Sequence, residues 1–177
     1  MSEIVTARQG GRISRAAQAV FHEYAAVLAT PWSDVMVGIS VQGDVVTSVD
    51  FLGGSASPLS GRAAIAREAV RQLQAYFQDH RFRFALPLAP AGTAFQRRVW
   101  DALRRIPAGE TRSYGELAHQ LGSGPRAIGA ACRANPIPLF IPCHRIVAAH
   151  GLGGFMGVTM GRGLHLKQRL LDHERLT

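Results

Sequence analysis

Apolar positions in the first part of the chain change from a helical period to a strand period. Over residues 15–28 they recur every three or four positions, which predicts a helix ending before Pro31. Residues 35–41 and 45–51 are β-branched runs separated by a short loop that contains Gly43, a pattern typical of a β-hairpin. We therefore expect a sheet beside an amphipathic helix.

The helical period returns over residues 62–78, and residues 82–86 are predicted to form one more strand. Two prolines and a glycine within residues 87–92 then indicate a linker. We place a domain boundary there, with a small N-terminal α/β support domain over 1–88 and a second domain over 89–177. Residues 1–13 resemble a mobile tail.

Helix-capping signals mark two short helices in the second part. Thr93 with Gln96, and Ser113 with Glu116, fit the capping box, in which two side chains satisfy the first backbone N–H groups of a helix. The second of these helices should end at Gly122, because glycine is favoured just after a helix.

A third helix is predicted from Pro125, which suits a first helical turn, to Arg133. With the preceding helix it forms a helix-turn-helix pattern, which also occurs as a plain packing unit. Its small residues are Ala127, Gly129, Ala130, Ala131 and Ala134. Apart from the arginines at its two ends, such a helix has few of the long side chains that read base edges, so we expect docking by shape, in a minor groove and with weak sequence preference. Packing of these residues against the preceding helix is the alternative, and both can hold on different faces.

The predicted fold class is α/β (α+β), with a small sheet-containing unit followed by a mostly helical domain that contains the helix-turn-helix. Composition agrees with an ordered chain, since 47% of the 177 residues are apolar and only 18% are charged. Charge is uneven. Residues 1–80 carry a net charge of −1 and residues 81–177 a net charge of +9. This asymmetry favours a polyanionic partner for the second part, although a basic surface kept for solubility explains it equally well.

Several features indicate a cytoplasmic protein. No run approaches the roughly 18 apolar residues of a membrane span, and residues 1–10 lack the order of a signal peptide. Cys132 and Cys143 are expected to be reduced thiols, with Cys132 packing as a small apolar residue. Too few cysteines and histidines cluster for a zinc site, so we expect no metal and no cofactor.

Cys143 lies beside His144 and Arg145, and cationic or histidine neighbours lower the pKa of a thiol. In a strand adjacent side chains would point to opposite faces, so this pair needs a turn or a bridging water to cooperate. For an arbitrary Cys-His pair, a small apolar cysteine beside a surface histidine is the better interpretation.

The surrounding residues are more specific. Pro142-Cys143-His144-Arg145, followed by Ile146-Val147 and preceded by Asn135-Pro136, closely resembles the active-site signature of the O6-alkylguanine-DNA alkyltransferases. The resemblance extends from about residue 92 to residue 174. In that family an alkylated guanine is turned out of the duplex, and its alkyl group moves to the cysteine. Extrusion is required because the reacting atom is otherwise inaccessible.

The resemblance implies that Cys143 is the nucleophile and that His144 takes its proton through a water. Glu174 would hold the histidine, as the third member of a nucleophile, base and orienter set. Asp172 is a neighbouring carboxylate that could be confused with it, and we prefer Glu174 on motif register. Asn135 would tie the recognition helix to the active-site turn.

Further roles follow from the same resemblance. Tyr114 would help rotate the nucleotide and donate a proton toward guanine, and Arg126 would fill the gap left in the base stack. Backbone carbonyls of Cys143 and Ile146 would accept from the guanine amino group. A half-buried core tyrosine and a generic phosphate contact are the alternatives for Tyr114 and Arg126.

The residues expected to contact DNA are Tyr114, Arg126, Ala127 and Arg133. Those expected to line the substrate pocket are Pro138, Ile146, Phe155 and Lys167. Phe155 replaces a tyrosine that is usual in the family, so it can wall the pocket without offering a hydroxyl. Residues 156–163 form a longer stretch than usual, which predicts a larger or more mobile lid.

We therefore expect repair of O6-alkylguanine, with O4-alkylthymine as a further candidate substrate, in double-stranded DNA by a monomer that is consumed in one transfer. A non-enzymatic alkyltransferase-like protein is disfavoured because such proteins lack the cysteine. A helix-turn-helix regulator would need base-reading side chains, and a Cys-His hydrolase would not explain the basic second part.

Overall fold

The computed structural model describes residues 24–175, which form a three-stranded antiparallel sheet, a two-stranded parallel pair and five α-helices. The strands are β1 (Ala26–Ala29), β2 (Val35–Gln42), β3 (Val45–Gly53), β4 (Arg112–Ser113) and β5 (Ile146–Val147). The helices are α1 (Ala64–Gln78), α2 (Ala94–Leu103), α3 (Tyr114–Gln120), α4 (Pro125–Arg133) and α5 (Arg162–Arg175). The mixed α/β class expected from the sequence is confirmed.

The hairpin of β2 and β3 is confirmed, with Gly43 at a φ of 58° in its turn. The predicted helix over residues 15–28 is wrong at its C-terminal end, because Ala26–Ala29 pairs with β2 as strand β1. Ala26, Val27 and Leu28 are all buried, since β1 is covered on both faces. Such a continuous apolar run does not distinguish a strand from a helix. Residues 1–13 and the start of the predicted helix lie outside the described residues.

The strand predicted over residues 82–86 is also wrong. Its backbone is satisfied by a side chain instead, because Gln72 on α1 donates to the Ala85 carbonyl at 3.1 Å and accepts from the Ala85 N–H at 2.8 Å. The predicted linker follows and docks on β3. There the Val46 N–H donates to the Pro87 carbonyl at 3.0 Å, and the Ala89 N–H donates to the Val46 carbonyl at 2.9 Å.

Buried residues on both sides of that linker belong to one hydrophobic cluster, which includes Val37 and Leu73 before it and Leu103 and Ile128 after it. Trp100 fastens α2 to α4, since its indole N–H donates to the Ala131 carbonyl at 2.9 Å. The division into 1–88 and 89–177 is therefore a proposal about chain organisation, while the core is shared.

The helix-turn-helix prediction is confirmed at the level of local structure. Both capping boxes are formed, at the starts of α2 and α3. Gly122 lies just after α3 at a φ of 62°, a left-handed conformation that glycine adopts without strain. Pro125 occupies the first turn of α4, and α4 packs against both α2 and α3.

Candidate active site

A single turn of 3-10 helix, Cys143–Arg145, carries the signature residues. Cys143, His144 and Arg145 are buried, and the turn supplies the change of direction that the adjacent Cys-His pair requires. The sequence leads into it through Leu139, which adopts a φ of 73°. A non-glycine residue in this region is uncommon, so surrounding contacts must hold the backbone in place.

Asn135, just after α4, connects that helix to the turn. Its side-chain N–H donates to the Ile141 carbonyl at 2.9 Å, and its Oδ1 accepts from the Ile137 N–H at 3.0 Å. Its side-chain amide also acts to lower the pKa of the Cys143 thiol. The bridging position expected of Asn135 is therefore the position it occupies.

Glu174 on α5 is buried and joins the turn through three short contacts. His144 Nε2 lies 2.8 Å from its Oε1, and Arg145 donates from Nε at 2.9 Å and from Nη2 at 2.8 Å. A two-pronged arginine–carboxylate pair fixes orientation as well as charge. The competing carboxylate, Asp172, is exposed and accepts from Gln168 at 2.7 Å, so the geometry favours Glu174.

Tyr76 on α1 is a member of this network that the sequence did not reveal. Its hydroxyl donates to Glu174 Oε1 at 2.8 Å, and the ring is almost fully buried. The Gly109 N–H completes the set at 3.3 Å from Oε2. Tyr76 precedes Glu174 by 98 residues, and its place in a helical apolar pattern indicated only a core position.

Charges in this network are set by burial and by the partners. Burial raises the pKa of the Glu174 carboxyl, but the hydrogen bonds from His144 and Arg145 outweigh it and hold that pKa well below its usual range. Burial lowers the pKa of His144, against the opposing pull of Glu174. Because Arg145 already balances the carboxylate, the imidazole is neutral. Its Nδ1 has no hydrogen-bond partner among the described residues.

The thiol of Cys143 departs from the expectation that its neighbours lower its pKa. Burial raises that pKa, although the side-chain amide of Asn135 and the positive charge of Lys167 act in the opposite direction. Desolvation disfavours the charged form of a buried acid, and here it outweighs nearby cations. The thiol is therefore protonated at neutral pH, and forming the thiolate requires a base.

Cys143 opens onto a surface cavity of about 440 Å³ formed by α4 and the segment after β5. Of the residues predicted for DNA or pocket contacts, four line it: Tyr114, Arg126, Arg133 and Phe155. Ala127, Pro138, Ile146 and Lys167 are not part of this wall. The last three are buried.

Lys167 on α5 has a structural position in place of the expected pocket contact. Its ammonium group donates to the carbonyls of Ile146 at 2.5 Å, Leu152 at 2.6 Å and Gly154 at 3.0 Å. The Ile146 carbonyl, expected to accept from guanine, is thus already engaged by Lys167. Burial lowers the pKa of Lys167 to about 8.

Tyr114 begins α3 and lies half-buried at the cavity wall. Its hydroxyl donates to the Gly154 carbonyl at 3.2 Å, and burial raises its pKa to about 12. Gly153, at a φ of 69°, allows this approach, because a Cβ there would lie 3.0 Å from the tyrosine ring. The hydroxyl therefore stays protonated and can act as a donor.

The segment after Phe155 forms the rim of the cavity. Phe155 is buried and pairs with Val158 through two backbone hydrogen bonds, at 2.9 and 3.0 Å, in a tight turn. Met156, Val158 and Met160 are exposed apolar residues on this rim. Because α5 begins at Arg162, the lid expected over 156–163 is shorter by two residues.

Two further observations concern the described range alone. Within residues 24–175, no group of three or more histidine, cysteine or acidic side chains is arranged to hold a metal ion. No helix in the same range is long and apolar enough to cross a membrane.

Sequence comparisons match this arrangement to known proteins. The family model for 6-O-methylguanine DNA methyltransferase, DNA binding domain, matches residues 94–176. The methylated-DNA–protein-cysteine methyltransferase of Mycobacterium leprae is 44% identical over 141 residues, which cover 75% of this chain and 82% of the relative. The protein of the same name from Methanosarcina acetivorans is 48% identical over 111 residues, covering 61% of this chain and 68% of the relative.

Solved structures extend the similarity to the sheet. The O6-methylguanine methyltransferase of Mycobacterium tuberculosis has a TM-score of 0.70 at 36% identity, covering 84% of this chain and 90% of that one. Mycobacterium tuberculosis OGT in complex with DNA has a TM-score of 0.69 at 36% identity, covering 84% of this chain and 92% of that one. Sequence and fold comparisons therefore agree over most of the described residues.

Proposed function

The chain belongs to the methylated-DNA–protein-cysteine methyltransferase family, and we propose that it repairs O6-alkylguanine in double-stranded DNA by transferring the alkyl group to Cys143. Its activity is that of the family: it binds DNA and repairs it by alkyl transfer to a protein cysteine. One observation carries the assignment of the residue. Cys143 faces an open cavity, and the next residue in its turn, His144, is buried and paired with Glu174 of α5.

Thiolate formation is the first step of the proposed mechanism. Neutral His144 donates from Nε2 to Glu174, which leaves its Nδ1 lone pair available as a base. A water carries the proton from the Cys143 thiol to Nδ1, and the resulting imidazolium is stabilised by the Glu174 carboxylate. Arg145 fixes that carboxylate in the orientation that the histidine requires.

Transfer then proceeds by displacement at the alkyl carbon. The Cys143 sulfur forms a bond to that carbon as the carbon–O6 bond breaks, and the electron pair passes to the guanine. Tyr114, whose high pKa keeps its hydroxyl protonated, donates the proton that the leaving guanine requires. Its contact with the Gly154 carbonyl holds the hydroxyl at the cavity wall. The products are an S-alkylcysteine and an unmodified guanine, and the proton taken up by His144 is returned through solvent to the Tyr114 hydroxyl.

Access to the thiol requires the nucleotide to leave the duplex. The cavity lies beside α4, the second helix of the helix-turn-helix, and Arg126 stands exposed on its edge. We assign Arg126 to the space vacated in the base stack, where a planar guanidinium can stack and hydrogen-bond. Ala127 and Arg133 belong to the same helix and would contact the sugar-phosphate strand in the minor groove.

The reaction should consume the protein. A thioether at Cys143 has no easily expelled leaving group, and no cofactor is needed for its formation. One protein molecule therefore accepts one alkyl group, and we propose separately that the protein acts as a monomer. O4-alkylthymine is a secondary substrate in this proposal, because its alkyl group also sits on an exocyclic oxygen beside a ring nitrogen.

The defining experiment is reaction with excess duplex DNA carrying O6-methylguanine, followed by mass spectrometry of the digested protein. We expect a single added methyl group on the peptide that contains Cys143, and an end point of one transfer per molecule. Binding should weaken steeply with salt, because contacts to phosphates release counterions. Multiple turnover, or a methyl group on Cys132, would contradict the proposal.

A further inference from the structure

A second and larger cavity, of about 770 Å³, lies on the other side of the active-site turn. Pro142 and Arg145 face it, whereas Cys143 between them faces the cavity already described. The two cavities share no lining residue. The second is bounded by the segment after α1, by the loop after α2 and by the approach to the turn. The proposed alkyl transfer does not use it.

Four exposed arginines surround this second cavity. Arg81 and Arg83 come from the segment after α1, and Arg104 and Arg105 from the end of α2. Among residues 24–175, none of these four guanidinium groups has an ion pair or a side-chain hydrogen bond with the protein. Asp101 is the one acidic residue among the described residues of the wall. Four like charges around one concave space repel one another and favour a polyanionic occupant.

The wall also carries aromatic rings that are not fully covered. Phe82 and Phe84 are half-buried, and they alternate along the chain with Arg81 and Arg83. The ring centroids of Phe82 and Phe84 lie 5.9 Å apart, and Phe84 packs edge-on against Phe140 at 4.7 Å. These contacts fix the Phe84 ring in place, so the cavity offers an ordered aromatic surface beside its cationic rim.

We propose that this cavity is a nucleotide-binding site, with phosphates on the arginine rim and a base against Phe82 and Phe84. Arginine suits phosphate because its planar donors match the geometry of the oxygens. Aromatic side chains stack on any base, which adds affinity without sequence selection. A volume of about 770 Å³ lies within the range of roughly 300–1,000 Å³ for small-molecule sites. A free nucleoside polyphosphate is therefore the assigned ligand, and a nucleotide within a single strand offers the same chemistry.

The test is a calorimetric titration of the whole protein at low salt with three probes: ATP, inorganic triphosphate and a single-stranded oligonucleotide. We expect ATP to bind with one site per protein and at least tenfold more tightly than triphosphate, because only ATP has a base. If the natural ligand is a nucleotide within a single strand, the oligonucleotide should bind more tightly than ATP. That result would overturn the assignment to a free nucleotide.

Two variants locate the site. The double variant Arg81→Gln/Arg83→Gln should weaken ATP binding at least tenfold. Phe82→Leu should weaken ATP binding but leave the affinity for triphosphate unchanged. Arg62→Gln is the matched control, since Arg62 is an exposed arginine outside both cavities. The thermal unfolding midpoint of each variant checks its fold, and the first pair removes only exposed side chains.

Three results would overturn the proposal. These are absence of ATP binding, equal loss in the Arg62→Gln control, and equal affinity for ATP and triphosphate. The last would show an anion site without base recognition. The Cys143→Ser variant should not transfer methyl groups, so ATP binding to it can be measured without the transfer reaction. Failure of the proposed repair activity would not alter any of these binding results.

Discussion

The two cysteines line the same cavity but have different surroundings. Cys132 lies on α4, half-buried, and burial raises its pKa to about 12. Cys143 lies on the 3-10 turn, more deeply buried, and its pKa is raised for the same reason. Cys143 alone shares its turn with His144, and only its pKa is lowered by the side chain of Asn135.

A position in the cavity is therefore not what would make either of these two thiols reactive. Both thiols are desolvated and protonated at neutral pH, so exposure to the substrate gives neither of them a thiolate. In the proposed mechanism, what distinguishes Cys143 is a route for its proton into the His144–Glu174 pair.

Loss of the acceptor sulfur should have the largest effect. Cys143→Ser should abolish methyl transfer from duplex DNA, because a hydroxyl is far less acidic and less nucleophilic than a thiol. Cys132→Ser should transfer at close to the original rate. Single-turnover assays with labelled DNA measure both, and a gel-shift assay should show that DNA binding persists in each. Transfer to Cys132 in the Cys143→Ser variant would erase the contrast between the two thiols.

Removal of the charge behind the base should have the next largest effect. Glu174→Gln should slow transfer by about 10²–10⁴-fold, the range that a positioned general base contributes, without changing the end point. It should also destabilise the fold by roughly 3–5 kcal/mol, because Arg145 is left buried and unpaired. Asp172→Asn is the matched control. Denaturant titration separates the two effects, and an unchanged rate would place the base elsewhere.

Arg126→Ala should affect access rather than activation. Extruding a base costs a few kcal/mol, so repair of duplex DNA should slow by about 10–100-fold. Reaction with the free modified base needs no extrusion and should keep its rate. The ratio of the two rates is the measurement. Equal losses on both substrates would assign Arg126 to the activation of Cys143 instead of to the duplex.

Tyr76→Phe should have the smallest effect. Loss of a hydrogen bond to a carboxylate costs about 1.5–3 kcal/mol at most, and the ring keeps its packing. Because the pKa of Glu174 is lowered in the folded state, its stabilisation is present above the unfolded value of about 4.3 and is lost as pH falls below it. The variant should lose less stability than the parent as the pH is lowered from neutral through the folded-state pKa of Glu174, as followed by thermal unfolding. Parallel stability curves for the two proteins would refute this coupling.

Local signals explain which elements the sequence could predict. The capping residues Thr93 and Ser113, the proline at 125 and the hairpin around Gly43 act within a few positions, and all are found as expected. The predictions for residues 26–28 and 82–86 were wrong because tertiary contacts decide the backbone conformation of these segments. A strand covered on both faces has no period of two, and a glutamine side chain replaced the predicted strand pairing.

The site shows the same division. The signature around Cys143, together with Glu174, was available from motif register, and the structure brings these residues together. Lys167 was expected in the pocket wall. Its buried ammonium group instead donates hydrogen bonds to three backbone carbonyls, because a buried charge requires polar partners. The rise in the pKa of Cys143 also depends on burial, which neighbouring residue types do not report.

The hydrogen bond from Tyr76 to Glu174 has a consequence for the order of folding. It closes a loop of 98 residues, and the His144–Glu174 contact closes one of 30. Contacts of such long sequence separation require loop-closure entropy to be lost before they contribute, so they form late. We infer that the helix-turn-helix forms before the carboxylate network and that transfer activity is the last property recovered on refolding. Stopped-flow refolding should show recovery of helical circular dichroism before recovery of methyl transfer, and simultaneous recovery would refute this order.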